Sequence, residues 1–107
     1  MSNIAKLYVV VRTDLNPGQI ISQSVHAASE FILRGEKDLV SLWDNGHIVI
    51  LGVDDEDELH SYMRQMGERD IEFKEFKEPY YKDSVTGFST VRFDKEELFK
   101  GLQLLTF

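Results

Sequence analysis

The sequence has no cysteine, only two prolines, and no apolar run near the ~20 residues that cross a bilayer. The absence of cysteine excludes a disulfide framework and a thiolate nucleophile. The first residues also lack the charged, apolar and small-residue pattern of a signal peptide. These absences predict a cytoplasmic protein that does not contact a membrane.

Basic residues are scarce as well, because 12 Lys and Arg stand against 19 Asp and Glu, for a formal net charge of −7. A protein that coats nucleic acid non-specifically is usually basic, since its cations displace counterions from the phosphates. The charge therefore argues against a general coat, and we expect no DNA partner. It leaves room for a local basic site, because the charges are unevenly spread.

Residues 1–107 are predicted to form a single domain, because domains of about this length are common. Apolar, β-branched runs are typical of buried strands. Such strands are predicted at residues 7–11, 47–53, 71–76 and 85–93. In the last of them, alternation places five residues on one face: Val85, Gly87, Ser89, Val91 and Phe93.

Helical signals separate these strands. Asn16 followed by Pro17 favours a helix start, and Gly35 favours its end. A short amphipathic piece spans residues 37–44, and the acidic run 54–58 is typical of a helix N-terminus rather than of a metal site. A closing helix is predicted to bury Leu98, Phe99 and Leu102 behind a capping box of Asp94 and Glu97.

Two β-α-β crossovers imply parallel strands with helices against the sheet. The short joint between the third and fourth strands allows one strand to run antiparallel. The predicted fold is therefore α/β, a three-layer α/β/α sandwich with a mixed four-stranded β-sheet.

Common phosphate and nucleophile motifs are missing from the sequence. It has no G-x-G-x-x-G, no G-x-x-x-x-G-K-[ST] and no G-x-S-x-G. The three histidines, His26, His47 and His60, lack metal-ligand spacing. We therefore expect neither a metal nor a cofactor.

The corner after the first strand, "RTDLNPGQ", is the first candidate site, because ligands of open α/β sheets bind outside the carboxyl ends of strands. Arg12 and Asp14 either face a ligand or simply pair with each other, and the sequence leaves both readings open. His26 lies on the following helix, with Ser22 and Gln23 one turn earlier. We interpret this histidine as structural rather than catalytic.

The second candidate stretch is "FKEFKEPYYKDSVTGF", residues 73–88, in which lysines alternate with aromatic residues. Lysines beside aromatic rings can hold phosphates while a base stacks, but a plain strand gives the same alternation. Glu78 and Thr86 are expected to face the loop between the third and fourth strands. A carboxylate and a hydroxyl there can orient a water and an ester carbonyl.

The motifs "LYVVVRTDL", "GQIISQSVHAASEF", "FKEPY" and "VTGFS" together resemble the archaeal- and eukaryotic-type (type 2) peptidyl-tRNA hydrolases, in a short form. The resemblance spans nearly the whole chain in the family's order of elements. It implies hydrolysis of the ester that joins a peptide to tRNA, with peptidyl-tRNA as the RNA substrate. It also implies a homodimer, since family members usually dimerise.

The resemblance further implies roles for individual residues. Asp14, Glu78 and Thr86 fall at catalytic positions, while His26 falls on the scaffold near the site. The expected substrate-binding residues are Arg12, Gln19, Gln23, Lys77 and Lys82.

One departure from the family motivates an alternative function. The family's corner carries a turn rich in glycine and lysine, and one of its lysines is implicated in the site. Here the turn ends in Gln19 and has no lysine, which removes a charge-assisted partner for a phosphate or an oxyanion. The alternative is a non-catalytic RNA- or protein-binding module on the same fold.

Overall fold

The computed structural model describes residues 4–93 and 97–105. Its strands are β1 (Lys6–Arg12), β2 (His47–Val53), β3 (Lys74–Glu78), β4 (Ser84–Arg92) and β5 (Gln103–Leu104), and its helices are α1 (Pro17–Arg34), α2 (Lys37–Trp43) and α3 (Glu56–Glu68). Two 3-10 turns, Pro79–Tyr81 and Glu97–Phe99, complete the described elements.

The five strands form one mixed sheet in the order β3-β4-β1-β2-β5. β1 and β2 are parallel, whereas β4 is antiparallel to both β1 and β3, and β5 is antiparallel to β2. The predicted α/β class and mixed sheet are confirmed, but the predicted count of four strands is wrong. Gln103 pairs with Gly52 and Leu104 with Leu51, which adds an edge strand. A strand of two residues is too short to produce a recognisable sequence pattern.

The predicted closing helix is also wrong within the described residues. The chain there makes the single 3-10 turn Glu97–Phe99, and Leu102 already belongs to the approach to β5. Leu98 and Phe99 are nevertheless buried, as the prediction requires. The proposed capping box depends on Asp94, which lies outside the described residues.

Helices pack against both faces of the sheet, and each face has its own core. On one face, α3 and the 3-10 turn at Glu97–Phe99 cover alternate residues of the central strands. This core includes Tyr8, Val10, Leu51, Leu59, Met66, Phe88 and Phe99. On the other face, α1 and α2 cover Leu7, Val9 and Val91 with Ala27, Phe31 and Trp43.

α1 begins where the sequence predicts. The Asn16 Oδ1 accepts a hydrogen bond from the Gln19 amide at 2.8 Å, and the Gln19 Oε1 accepts one from the Asn16 amide at 3.0 Å. Pro17 occupies the first turn, where a missing N–H costs nothing. Gly35 ends the helix in an extended conformation, and a Cβ there would lie 2.6 Å from Phe31. The close approach of Phe31, rather than a left-handed φ, explains the glycine.

No described helix is long and apolar enough to cross a membrane.

Candidate active site

Thr86 is placed by an irregularity in the hairpin of β3 and β4. The register runs from Phe76 opposite Gly87 to Lys77 opposite Val85, so Thr86 has no partner on β3. An extra residue of this kind is a β-bulge, which re-aims a side chain. Consequently Val85 packs with the α3 core, whereas the Thr86 hydroxyl reaches α1. The predicted single face for Val85 and Gly87 is therefore wrong, because simple alternation stops at the bulge.

Three side chains form a chain of hydrogen bonds that joins β4, α1 and β3. Thr86 Oγ1 donates to Gln23 Oε1 at 2.5 Å, and Gln23 Nε2 donates to Glu78 Oε1 at 2.8 Å. We call these residues the Gln23 chain. Gln23 lies 55 positions from Glu78 and 63 from Thr86 in the sequence. All three residues are buried, with Glu78 the most accessible at 8%.

The Glu78 carboxylate is held unequally at its two oxygens. Oε1 accepts the short bond from Gln23, whereas Oε2 accepts only a long, 3.4 Å bond from the Tyr80 amide. Glu78 ends β3, and Pro79 starts the following 3-10 turn, so the carboxylate lies where the strand leaves the sheet. Oε2 therefore retains capacity to accept a hydrogen bond from water or from a ligand.

Arg12 and Asp14 pair with each other at the end of β1. Arg12 Nε and Nη2 donate to the two Asp14 oxygens, each at 2.9 Å. The hydrogen bonds from Arg12 lower the pKa of Asp14, and the bond to Asp14 raises the pKa of Arg12. A carboxylate with a lowered pKa and both oxygens occupied is a weak general base.

This pair reaches the Gln23 chain through the backbone. Arg12 Nη1 donates to the Val85 carbonyl at 3.4 Å, directly before Thr86, and lies 3.6 Å from Glu56 Oε1. Arg12 thus links the Asp14 carboxylate to the backbone beside Thr86.

The other predicted binding residues, Gln19, Lys77 and Lys82, are not members of the Gln23 chain. Gln19 is engaged in the capping box of α1. Lys77 projects from the α3 side of the sheet, where it lines an open groove of about 540 Å³ with Arg64 and Phe73. Lys82 is exposed in a left-handed conformation after the 3-10 turn. Among the described residues, neither lysine forms an ion pair.

His26 lies beside the site rather than within it. Its ring stacks on Phe76, with 4.4 Å between the ring centroids and an interplanar angle of 6°. The polar side chains one turn earlier on α1 bond elsewhere, because Gln23 donates to Glu78 and Ser22 donates to the Gln19 carbonyl.

Glu56 belongs to the acidic run 54–58, for which the sequence predicts only a helix start. Its Oε2 accepts a hydrogen bond from the Val85 amide at 3.1 Å, across 29 residues of sequence. No local pattern signals this contact, because the acidic run already has an explanation as a helix start. In the described part of the chain, no group of three His, Cys, Asp or Glu residues is placed to hold a metal ion.

The protein is thus an α/β domain with helices on both faces of a mixed sheet and with the buried Gln23 chain where the bulged strand β4 meets α1. A family model described as peptidyl-tRNA hydrolase PTH2 matches residues 5–92, which is most of the chain. The protein therefore belongs to the PTH2 family of peptidyl-tRNA hydrolases. This finding confirms the resemblance that the sequence motifs indicate.

A solved structure supports the fold independently. The chain is similar to a protein of unknown function from Agrobacterium tumefaciens strain C58, with a TM-score of 0.71 and 17% sequence identity. The alignment covers 99% of this chain and 100% of that one. At this identity the likeness concerns the fold alone. No curated protein matches the chain.

Proposed function

We propose that this protein hydrolyses the ester bond between a peptidyl group and tRNA, and so returns the tRNA for use. Membership in the PTH2 family supports this reaction class. The observation that carries the proposal is the unequal hold on Glu78, whose Oε1 is anchored by Gln23 while Oε2 retains acceptor capacity. A fixed carboxylate with one available oxygen suits the orientation and deprotonation of a water molecule.

In the proposed reaction, Glu78 takes a proton from water as the water oxygen bonds to the ester carbonyl carbon. The bond from that carbon to the ribose oxygen then breaks, and the proton passes to the ribose oxygen. The products are a free peptide acid and tRNA with its ribose hydroxyl restored, so atoms and charge balance.

Thr86 and Gln23 have a supporting role in the proposed reaction. The single hydroxyl proton of Thr86 is donated to Gln23, and Gln23 in turn holds Glu78. In this proposal Thr86 fixes the Glu78 carboxylate through Gln23, and it does not itself donate to the carbonyl oxygen. Asp14 fixes Arg12, which contacts the Val85 carbonyl.

The start of α1 supplies a donor for the developing oxyanion. Asn16 and Gln19 bond each other in the capping box, and Pro17 has no N–H. The Gly18 amide lies in the same first turn, at the positive end of the helix dipole, and the capping box does not use it. We assign this amide to the carbonyl oxygen, where a backbone donor of this kind stabilises negative charge.

The test follows release of free tRNA from an N-acetylated aminoacyl-tRNA, with Glu78→Gln protein and EDTA-treated protein in parallel. Release that requires Glu78 and persists in EDTA supports the proposal. A folded wild-type protein that binds this RNA without releasing the acyl group contradicts it. That outcome favours the alternative, a non-catalytic binding module, which is motivated by a turn whose Gln19 serves the helix cap instead of presenting a lysine.

We further propose that two copies associate through the outward side of α1 and the adjacent part of β2. Ile21, Val25 and Ile48 are exposed there by 52%, 61% and 52%, around an apolar groove, and an apolar patch of this kind is typical of an interface. Residues 17–29 contain no Asp, Glu, Lys or Arg, so two copies with a charge of −7 meet there without direct like-charge contacts.

Sedimentation velocity should show a dimer that Val25→Glu converts to a monomer. A monomeric wild type at high concentration contradicts this proposal.

A further inference from the structure

The backbone of Val85 is held by side chains from two other elements. Its N–H donates to Glu56 Oε2 at 3.1 Å, and its carbonyl accepts from Arg12 Nη1 at 3.4 Å. The pairing of β1 with β4 ends where Val11 faces Gly87, so Val85 lies beyond that ladder. Arg12 and Glu56 therefore fix the peptide groups of Val85 on the side of β4 where its pairing with β1 has ended, while Lys77 of β3 lies opposite on the other side.

Glu56 is free to make this contact because other residues complete the start of α3. Asp55 is the N-cap and accepts from the Glu58 amide at 2.9 Å. Glu58 in turn accepts from the Asp54 amide at 2.6 Å. Glu56 is the first residue of the helix, and its carboxylate points to β4 instead of closing the helix end.

The hydrogen bond to Val85 is the closest contact of the Glu56 carboxylate. Oε2 also lies 3.3 Å from His60 Nε2, and Oε1 lies 3.6 Å from Arg12 Nη1. Arg12 already forms two 2.9 Å bonds with Asp14, which leaves its interaction with Glu56 the weaker one. The geometry thus gives Glu56 the role of an acceptor for a backbone amide more than that of an ion-pair partner.

We infer that Glu56 is a positioning residue for the ester hydrolysis, acting through the Val85 peptide on Thr86. Thr86 follows Val85 directly and is the residue of the bulge that has no partner on β3. The orientation of the two peptide groups that flank Val85 therefore sets where the Thr86 hydroxyl meets Gln23. Gln23 carries that placement to Glu78. This inference rests on the proposed function and adds to it a residue from α3, on the opposite face of the sheet from α1.

The test compares Glu56→Ala and Glu56→Gln with the matched control Glu58→Ala. Both alanine variants remove one carboxylate from the same turn, but the Glu58 carboxylate contacts α3's own start rather than β4. Glu56→Ala should lower kcat roughly tenfold while KM stays within about twofold, the pattern of a lost contribution to the chemical step. Glu56→Gln keeps an acceptor for the Val85 amide and should restore most of kcat. Glu58→Ala should leave kcat unchanged.

A double-mutant cycle with Thr86→Ala tests the route of the effect. If Glu56 acts through Thr86, then Glu56→Ala should have little further effect on kcat in the Thr86→Ala protein, since coupled residues are not additive. Amide hydrogen exchange at Val85 should also accelerate in Glu56→Ala and not in Glu58→Ala.

The outcomes separate the inference from the proposed function. A folded wild-type protein with no hydrolysis refutes the proposed function and, with it, any positioning role. If the wild type is active, three results overturn the inference and leave the proposed function intact. They are full kcat in Glu56→Ala, a loss of kcat in Glu56→Ala that adds to the loss in Thr86→Ala, and unchanged amide hydrogen exchange at Val85 in Glu56→Ala.

Discussion

Two carboxylates lie near the bulge of β4, and the protein satisfies them in opposite ways. Asp14 is paired at both oxygens by the Arg12 guanidinium and is more than a third exposed. Glu78 is buried, is held firmly at one oxygen by a neutral amide, and has its other oxygen in only a long contact. The first arrangement stabilises a charge, whereas the second leaves one carboxylate oxygen with capacity to accept a further hydrogen bond, as the proposed role of Glu78 requires. Proximity to a predicted site therefore does not make the two carboxylates equivalent.

The largest effect is expected from Glu78→Gln, which keeps the shape of the side chain and removes its basicity. Turnover of N-acetylated aminoacyl-tRNA should fall by about 100-fold or more, the usual scale for a general base. The matched control is Glu75→Gln, because Glu75 is exposed on the same strand and should tolerate the change. Equal turnover in the two variants contradicts the assignment of Glu78.

Thr86→Ala should have the next largest effect, because it leaves the buried Gln23 Oε1 without its donor. An unsatisfied buried acceptor costs about 1–3 kcal/mol of the free energy of unfolding. Thr90→Ala is the control, since Thr90 is equally buried and donates to the Glu72 carbonyl away from the site. Urea denaturation should show similar losses for both variants, while only Thr86→Ala lowers kcat. Loss of kcat in both would make Thr86 merely structural.

Asp14→Asn should have a smaller effect that depends on pH. The pKa of Asp14 is lowered in the folded state, so its pairing stabilises the fold above the ordinary Asp pKa of about 3.9. That stabilisation disappears as pH falls through the lowered pKa. Because the pair is exposed, the contribution should be within about 1 kcal/mol. Tm measured from pH 2 to 6 should separate the two proteins at pH 6 and bring them together at low pH; a constant gap contradicts this account.

His26→Ala should have the smallest effect. The substitution removes the stacked contact with Phe76. Aromatic pairs contribute roughly 0.5–1.5 kcal/mol to the free energy of unfolding beyond their buried area, and His26 is exposed, so the loss should be smaller. We expect kcat and KM within about twofold of the wild type. A tenfold loss of kcat with an unchanged Tm would move His26 from the scaffold into the reaction.

Much of the fold follows from local patterns. β1, β2 and α1 are read correctly because apolar periodicity and the Asn16–Gln19 box are short-range signals that the final packing reinforces. β3 is displaced from the predicted 71–76 to Lys74–Glu78, since Ile71 belongs to the end of the preceding turn, where its amide bonds the Met66 carbonyl. β5 is missed because its stability comes from Leu51 and Gly52 rather than from its own two residues.

The site is less readable than the fold. The sequence and its family resemblance indicate Glu78, Thr86 and Gln23 as site residues. They do not predict the order in which these residues bond, nor the bulge that turns Thr86 toward α1. The sequence allows Arg12 and Asp14 either to pair with each other or to face a ligand, and in this structure they pair. The bonds of the Gln23 chain join residues 55 and 63 positions apart, which periodicity within one element does not encode.

Gly87 is a position at which any larger residue should be poorly tolerated. A Cβ at this position would lie 2.9 Å from the Val10 carbonyl oxygen and 3.2 Å from the Ala27 Cβ, closer than α1 and β1 can accommodate without shifting. Ala27 lies one turn after Gln23, so a methyl group at position 87 would lift α1 away from Thr86 and stretch the bond between Thr86 and Gln23. In a library of random variants, position 87 should therefore be nearly as intolerant as position 78, although its residue has no side chain to offer the reaction.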